Sequence, residues 1–598
     1  MADDTKCLMK LKNLRDNANW TIEEDRHRLR RQMYPLIRHW KGRLPNLRDI
    51  FEKEEIEWLL AESVKFTNRN EYLMEFTPLV EFLIKTGYKD EPEDEYGELI
   101  LRRTTPLHRA SRRNARDIRV SVLEFFKIYD RFDLNYSDEY GFTHFHVACK
   151  FGYVEIVQKF LELGQDPNCL PSGGSNSSSV VDSPLQLALF GHHEPVVRLL
   201  LQNGADPDLV IKKDGSTLLH VVCKKDDDSY SAKLFFKIID DLEQPLQIDA
   251  RDSKGNTPLH LALDYGFRGA SELLLRHGAD SNVVDWRGYT PLHIICMRDD
   301  VLGLVELFFK INDEKNQPVL IDAEDRWGWT PLQFAVARLL PRLVDLLVDH
   351  GADLSTFVFP SKEHFDRCVK VSQREEVGYK FGLASRALAA VERLERRGYE
   401  LNRNDALTIM TIFAEYRWFE KSAYFDEFWY DDEPFAREAT KIKIFPKIEK
   451  SKSEAKEAAT IKQNLSLYDL VQLRPKQAEK LVTYTDYLRI AKSIDWRYER
   501  TKETYEMHLC EMVSRGFFRR WALDSFLELT LYRLPILCCD IIVENLVNED
   551  LWHICLAAAG RNQEDVSKKV PTIGIEFFTR RHKRAKKAPK SLHELYES

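Results

Sequence analysis

The chain has 598 residues and a mass of 70.1 kDa, enough for roughly three to four modules at about 150 residues each. It is 43% hydrophobic and 31% charged, with a net charge of −8 and a pI near 6.2, which makes it a poor candidate for binding nucleic acid. No apolar run is long enough to predict a membrane span. The acidic start Met1-Ala2-Asp3-Asp4-Thr5-Lys6 argues against a secretory signal. Ten cysteines without a C-x-x-C pair point to free thiols in a reducing, intracellular compartment.

Residues 1–97 read as a helical N-terminal segment. Thr21-Ile22-Glu23-Glu24 has the form of a capping box ahead of a basic helix. The run Leu79-Val80-Glu81-Phe82-Leu83-Ile84-Lys85-Thr86-Gly87 imitates the second helix of a repeat, with Gly87 as its C-cap. It is expected to be a degenerate terminal repeat closing one end of a stack.

From residue 98 to 355 one phrase recurs seven times. The copies are Thr105-Pro106-Leu107-His108, Thr143-His144-Phe145-His146, Ser183-Pro184-Leu185-Gln186, Thr217-Leu218-Leu219-His220, Thr257-Pro258-Leu259-His260, Thr290-Pro291-Leu292-His293 and Thr330-Pro331-Leu332-Gln333. A second phrase follows several copies: Asn203-Gly204-Ala205-Asp206, His277-Gly278-Ala279-Asp280 and His350-Gly351-Ala352-Asp353. Thr or Ser caps a helix, Pro occupies its first turn at no cost in amide bonds, and Gly takes a left-handed C-cap. These residues resemble ankyrin repeats, and the resemblance implies a mainly α fold: an ankyrin-repeat α-solenoid with short β-hairpin turns.

The Thr/Ser spacings of 38, 40, 34, 40, 33 and 40 alternate long and short from residue 143 onward. The extra residues are expected between the second helix and the next hairpin. Two copies match there, Gln244-Pro245-Leu246-Gln247-Ile248-Asp249-Ala250 and Gln317-Pro318-Val319-Leu320-Ile321-Asp322-Ala323, and a third carries Gly173-Gly174-Ser175-Asn176-Ser177-Ser178-Ser179. Such insertions form either a ridge of loops on one face or an inherited duplication without a binding role.

Repeat phase also disposes of tempting sites. Cys149, Cys223 and Cys296 each fall six residues after the cap and read as small buried helix positions. His108, His146, His220, His260 and His293 fall three residues after it. One His per repeat leaves a metal without a second ligand, and the resemblance implies that these rings hydrogen-bond turn backbone of neighbouring repeats. His192-His193-Glu194 reads as a turn between helices. The resemblance places hairpin tips and first helices on the concave, target-binding side. The tips carry Tyr140, Trp286, Arg287 and Trp327, residue types enriched at binding hot spots. Either these contact a target protein, or the tips pack on one another.

Residues 356–462 form a connector. It has helical spacing near 375–398 (Ala384, Leu388, Val391, Leu394) and 404–430, then a charge-rich stretch from Lys441 to Lys462. Apolar composition returns in residues 463–560, with Leu465-Ser466-Leu467-Tyr468-Asp469-Leu470-Val471, Arg515-Gly516-Phe517-Phe518-Arg519-Arg520-Trp521, and Leu534-Pro535-Ile536-Leu537-Cys538-Cys539-Asp540 running on to Leu551. The last phrase resembles the start of an F-box. After an ankyrin array it is similar to the PRANC domain, over about residues 463–558.

Leu534 and Pro535 match the opening pair, Ile542 and Leu546 the next two apolar positions, and Asp550-Leu551 the pair that begins the second helix. Pro535 starts a helix, Ile542 and Leu546 share a face, and Asn548 is placed to cap the next helix. Leu537 stands where the family often has Glu, and the third F-box helix is not evident after Cys555. The competing reading is a hydrophobic helical cap on the solenoid.

Residues 561–598 form a tail, whose segment 580–590 holds seven Lys/Arg and no acids. It reads as a nuclear import signal, a weak anion-binding arm or a solvated tail. Localisation is expected to be cytoplasmic, with nuclear entry through this segment as an option.

The chain shows no phosphate loop, H-E-x-x-H helix, G-x-S-x-G elbow or paired metal ligands, so no enzymatic activity, cofactor or metal is expected. The resemblance implies an adaptor that binds a target protein through the ankyrin repeats. Its F-box-like helices would dock the Skp linker protein of a cullin-based SCF ubiquitin ligase through Leu534, Pro535, Ile542, Leu546, Asp550 and Leu551. The alternative is an ankyrin scaffold or inhibitor that masks a signalling protein or a Rel-type transcription factor.

Overall fold

The computed structural model describes residues 2–40, 43–65, 73–92, 94–95, 98–99, 101–112, 119–171, 182–211, 213–225, 230–298, 302–369, 379–419, 437, 439–442, 465–473, 475–493 and 502–560. The Gly173–Ser179 loop, nearly all of the Lys441–Lys462 stretch and the basic tail lie outside these residues. The chain divides into two compact units, residues 1–295 with 303–319, and residues 296–302 with 320–598. Among the described residues no helix is long and apolar enough to cross a membrane.

The first unit opens with α1 (Ala2–Asp16), α2 (Glu23–Arg38), α3 (Lys53–Lys65) and α4 (Leu73–Lys85). A two-residue antiparallel pair, Asp94–Glu95 with Glu98–Leu99, follows. Helix pairs then succeed one another: α5 (Pro106–Ser111) and α6 (Arg119–Phe125), α7 (His144–Phe151) and α8 (Val154–Glu162), α9 (Pro184–Phe190) and α10 (Glu194–Gln202). They continue with α11 (Leu218–Lys225) and α12 (Tyr230–Asp241), α13 (Pro258–Tyr265) and α14 (Arg268–Arg276), then α15 (Pro291–Cys296) and α16 (Leu302–Glu314).

First helices stack on first helices (α3 on α5, α5 on α7, α7 on α9, α11 on α13) and second helices on second (α4 on α6, α8 on α10, α10 on α12, α12 on α14). Each pair is too thin to bury its own apolar face, so burial comes from its neighbours. α3 and α4 obey the same rule, with Gly87 left-handed at φ 77°, and α2 packs on α4 in turn.

The caps follow the sequence phrase. Thr257 Oγ1 accepts from His260 N at the start of α13, while His260 Nδ1 accepts from Thr257 N at 3.2 Å, a closed capping box. Thr143 and Thr330 close the same box, whereas Ser183 Oγ accepts from Gln186 N without the reciprocal bond. Cys149, Cys223 and Cys296 are buried, as their phase predicts.

One expectation changes. In two of the long repeats the extra residues also lengthen the second helix: α12 and α16 have 12 and 13 residues, where α8, α10 and α14 have 9. An added helical turn hides its amides and carbonyls in its own ladder, which a longer loop cannot do.

The second unit begins with α17 (Pro331–Ala337) and α18 (Pro341–Asp349), followed by α19 (Lys362–Cys368), α20 (Tyr379–Arg396) and α21 (Arg403–Glu415). The repeat grammar runs past residue 355. Ser361 N donates to His364 Nδ1 at 2.7 Å in a closed capping box, α19 stacks on α17, α20 on α18, and Gly398 is left-handed at φ 98°.

The C-terminal helices are α22 (Leu467–Gln472), α23 (Pro475–Leu481), α24 (Tyr484–Ser493), α25 (Lys502–Leu529), α26 (Ile536–Glu544) and α27 (Asn548–Gly560). The 28-residue α25 is their spine, packing against α20, α23, α26 and α27.

Candidate protein-binding surfaces

Between consecutive helix pairs the chain projects short turns, here called fingers. An aspartate at each root closes the turn. Asp138 Oδ1 accepts from the amides of Tyr140 and Phe142, both at 2.9 Å. Asp252 does so from Lys254 and Asn256, and Asp285 from Arg287 and Tyr289. In the second unit, Asp325 binds Trp327 and Trp329 in the same way. All four aspartates are buried, and the glycine that completes each turn is left-handed (Gly141, Gly255, Gly288, Gly328).

Three capping histidines tie their helices to backbone of a following loop or finger, as the resemblance implies. His220 Nε2 donates to Asn256 O and His260 Nε2 to Tyr289 O, both at 3.0 Å, and His146 Nε2 to Cys169 O at 3.2 Å. Because Nδ1 accepts the capping amide, the proton sits on Nε2. Burial lowers the pKa of each ring, to about 4 for His146. His108 makes the capping contacts, but its Nε2 closes no hydrogen bond; the Thr105 hydroxyl lies 2.9 Å from His108 Nδ1 and 2.8 Å from His144 Nε2.

The predicted tip residues are displayed. Tyr140 is exposed beneath the Arg112 guanidinium, 5.1 Å from its ring centre. Trp286 is 51% and Trp327 58% exposed. Arg287 is half-buried. It binds Asp285 Oδ2 at 2.8 Å and stacks over Tyr289, so it positions the finger more than it offers itself to a partner.

The second surface lies on α26. Pro535 is its N-cap, as read from the sequence. Cys539 and Val543 point inward, and Arg519 binds Asp540 Oδ1 through Nε and Nη2 at 3.1 and 3.0 Å. The buried Arg515 donates to the carbonyls of Val543 and Glu544 and to Asn548 Oδ1, joining the end of α26 to the start of α27. Glu511 accepts from Asn548 N at 2.8 Å, and burial raises its carboxyl to about 7 against the opposing pull of Arg515.

What remains outward is an apolar ridge: Leu531, Tyr532, Leu534, Ile536, Leu537 (73% exposed) and Ile541. Leu531 and Tyr532 hold left-handed backbone at φ 54° and 55°, a conformation that costs bulky residues free energy and turns both side chains outward.

The F-box-like residues divide on this geometry. Leu534 and Pro535 lie on the exposed ridge, whereas Ile542 and Leu546 are half-buried. Leu551 is 0% exposed, so it is core and cannot touch a partner. Asp550 Oδ2 accepts from Val547 N at 3.3 Å and caps α27; Asn548, expected as that cap, instead has its amide group on Glu511 O and Ser514 Oγ. Ile536, Leu537 and Ile541 are missing from the sequence reading, because Ile536–Ile542 is apolar at nearly every position and no period picks out a face.

The family model for ankyrin repeats (3 copies) matches residues 72–170, 185–285 and 271–357. With the capped helix pairs and Asp-closed fingers already seen, this decides the matter. The repeats are ankyrin repeats.

The ankyrin stretch is similar to B-cell lymphoma 3 protein of Homo sapiens, at 30% identity over 225 residues, 37% of this chain and 45% of that protein. It is also similar to putative ankyrin repeat protein FPV031 of Fowlpox virus (strain NVSL), at 24% identity over 45% of this chain and 64% of that protein. Among solved structures, the ankyrin repeat domain of Bcl-3, described as a unique member of the IkappaB protein family, matches with a TM-score of 0.31 and 26% identity, covering 37% of this chain and 96% of that one. The chain spans less than two thirds of the length of either curated relative. Among the described residues no cluster of His, Cys, Asp or Glu is arranged to hold a metal ion. Ankyrin repeats are protein-interaction modules, and the exposed tips Tyr140, Trp286 and Trp327 give this array hot-spot residue types at its fingers.

Proposed function

We propose that the chain is a non-enzymatic adaptor: the ankyrin repeats hold a target protein, and the C-terminal helices recruit the Skp linker and cullin of an SCF ubiquitin ligase. The observation that carries the second half is the ridge of Leu531, Tyr532, Leu534, Ile536, Leu537 and Ile541, which includes the Leu534-Pro535 pair that resembles an F-box opening. An apolar surface of this kind is disfavoured in water and is a signature of protein docking. Catalysis would reside in the ligase, and this chain would supply proximity alone.

The test is co-purification of the linker with the full chain. Ile536→Glu with Leu537→Glu should abolish recovery of linker and cullin while target binding persists. Absence of linker from the wild-type complex ends the ligase reading.

A second reading is a scaffold that masks a Rel-type transcription factor without the ligase. It is favoured by the 30% identity to B-cell lymphoma 3 protein and by 24% identity over 238 residues to nuclear factor NF-kappa-B p105 subunit of Gallus gallus. Under that reading the α26 double variant would be indifferent to partner binding.

A further inference from the structure

Two neighbouring fingers of the first unit bury their root aspartates and display bases beside them. The carboxylates of Asp252 and Asp285 are buried under their own turn amides, and Asp214 Oδ1 accepts from Ser216 N at 3.0 Å. Beside them the side chains of Lys213, Arg251 and Lys254 are exposed. Arg251 Nη2 donates to the carbonyl of Val284, and among the described residues no carboxylate forms an ion pair with it.

Backbone hydrogen bonds fuse these fingers into one strip. Ser253 N donates to Asp214 O at 2.6 Å, and Trp286 N to Lys254 O at 3.0 Å. The close approach is exacting: a Cβ on Gly255 would stand 3.2 Å from Trp286 N. The exposed indole of Trp286 is therefore registered directly after Lys254, with exposed Val284 next to it. In a chain of net charge −8, this is a cationic edge ending in an aromatic anchor.

We propose that the strip of Lys213, Arg251, Lys254 and Trp286 is the docking site for an acidic linear segment of a partner protein, with an apolar side chain seated on Trp286. The proposal rests on the reading that the ankyrin repeats capture a target, and it names the chemistry of that target. Exposed Lys and Arg attract carboxylates and speed encounter, and a large aromatic supplies the apolar contact that holds the complex. A protein segment fits better than a nucleic acid: the strip is short and pairs its charge with an apolar anchor, where a nucleic-acid groove would extend the charge.

The experiment is fluorescence anisotropy on the full chain. The probe is a labelled peptide of about twelve Asp and Glu residues with a central Leu-Phe pair, run beside a counterpart with Lys at every Asp and Glu and a single-stranded oligothymidylate of equal length. The acidic peptide should bind and weaken as salt is raised. Arg251→Glu with Lys254→Glu, and separately Trp286→Ala, should each weaken it at least about tenfold.

Circular dichroism melts of the variants control for folding, and the milder Lys213→Gln with Lys254→Gln should give a smaller loss in the same direction. No binding of the acidic peptide, equal binding of the basic one, or indifference to all variants overturns the proposal. So does oligothymidylate binding as tightly with the same variant losses, which would make the strip a general polyanion surface. If the peptide fails while Trp286→Ala still lowers recovery of a native target, target capture stands and only the acidic chemistry falls.

Discussion

The capping histidine does two jobs that a neutral imidazole suits: Nδ1 accepts the amide at the helix start and Nε2 donates to the next finger. The ankyrin resemblance implied the second bond; the first was not read from the sequence. Gln333 makes the same pair without a titrating group, its Oε1 accepting from Thr330 N at 2.8 Å and its Nε2 donating to Val358 O at 2.9 Å. Burial holds the histidines below their ordinary value, so the folded chain binds fewer protons than the unfolded one. Their contribution is complete above about pH 6.5 and is lost as pH falls below that, toward about 4 for His146. His260→Gln should therefore leave stability at pH 7 within about 1 kcal/mol of wild type and reduce the loss of melting temperature between pH 7 and pH 5. An unchanged pH profile would remove His260 from that account.

Thiols follow the same logic of burial. Cys149 and Cys296 are buried and their pKa is raised, whereas Cys538 is exposed on the α26 ridge. Alkylation mapped by mass spectrometry should label Cys538 in the native protein, and label Cys149 and Cys296 only after denaturation.

At the scale of the element, the ankyrin helices were readable because cap and buried stripe agree in each copy, and five of the seven add the proline. The faces of α26 were not. Its apolar residues have no clear period, so packing on α25 through Cys539, Val543, Arg515 and Arg519 decides which side chains stay in water. That packing moved Leu551 from the docking set to the core. Leu551→Ala should cost about 2–5 kcal/mol in denaturant unfolding of the C-terminal helices. Leu537→Ala, at 73% exposure, should stay within about 0.5 kcal/mol.

Glu511 adds a pH signature. Its carboxyl is raised, so the folded state binds the extra proton, and its contribution declines as pH rises from the ordinary carboxylate range to about 7. Glu511→Gln keeps an acceptor for Asn548 N and should raise stability at pH 8 relative to wild type. A lower stability there would mean that the Arg515 pairing outweighs burial.

At the scale of the whole molecule, length predicted three to four modules, and the chain divides into two compact units. The repeat grammar blurs the boundary expected at residue 355. Ser361–His364 repeats the capping phrase with Lys-Glu in place of Pro-Leu, which is why the sequence pattern lapses before the structural one does. The exposure of Trp286 and Trp327 on the fingers was legible. The charge of the fingers was not, because sequence alone counts Asp252 and Asp285 as surface acids when folding buries them.

The adaptor account places target binding and ligase recruitment on separate surfaces. The most direct measurement is quantitative recovery of the Skp linker and cullin with the full chain, comparing wild type, Ile536→Glu with Leu537→Glu, and Trp286→Ala. The account predicts that the α26 double variant loses the linker at unchanged thermal stability while Trp286→Ala retains it. Equal linker recovery from wild type and the α26 double variant would contradict it.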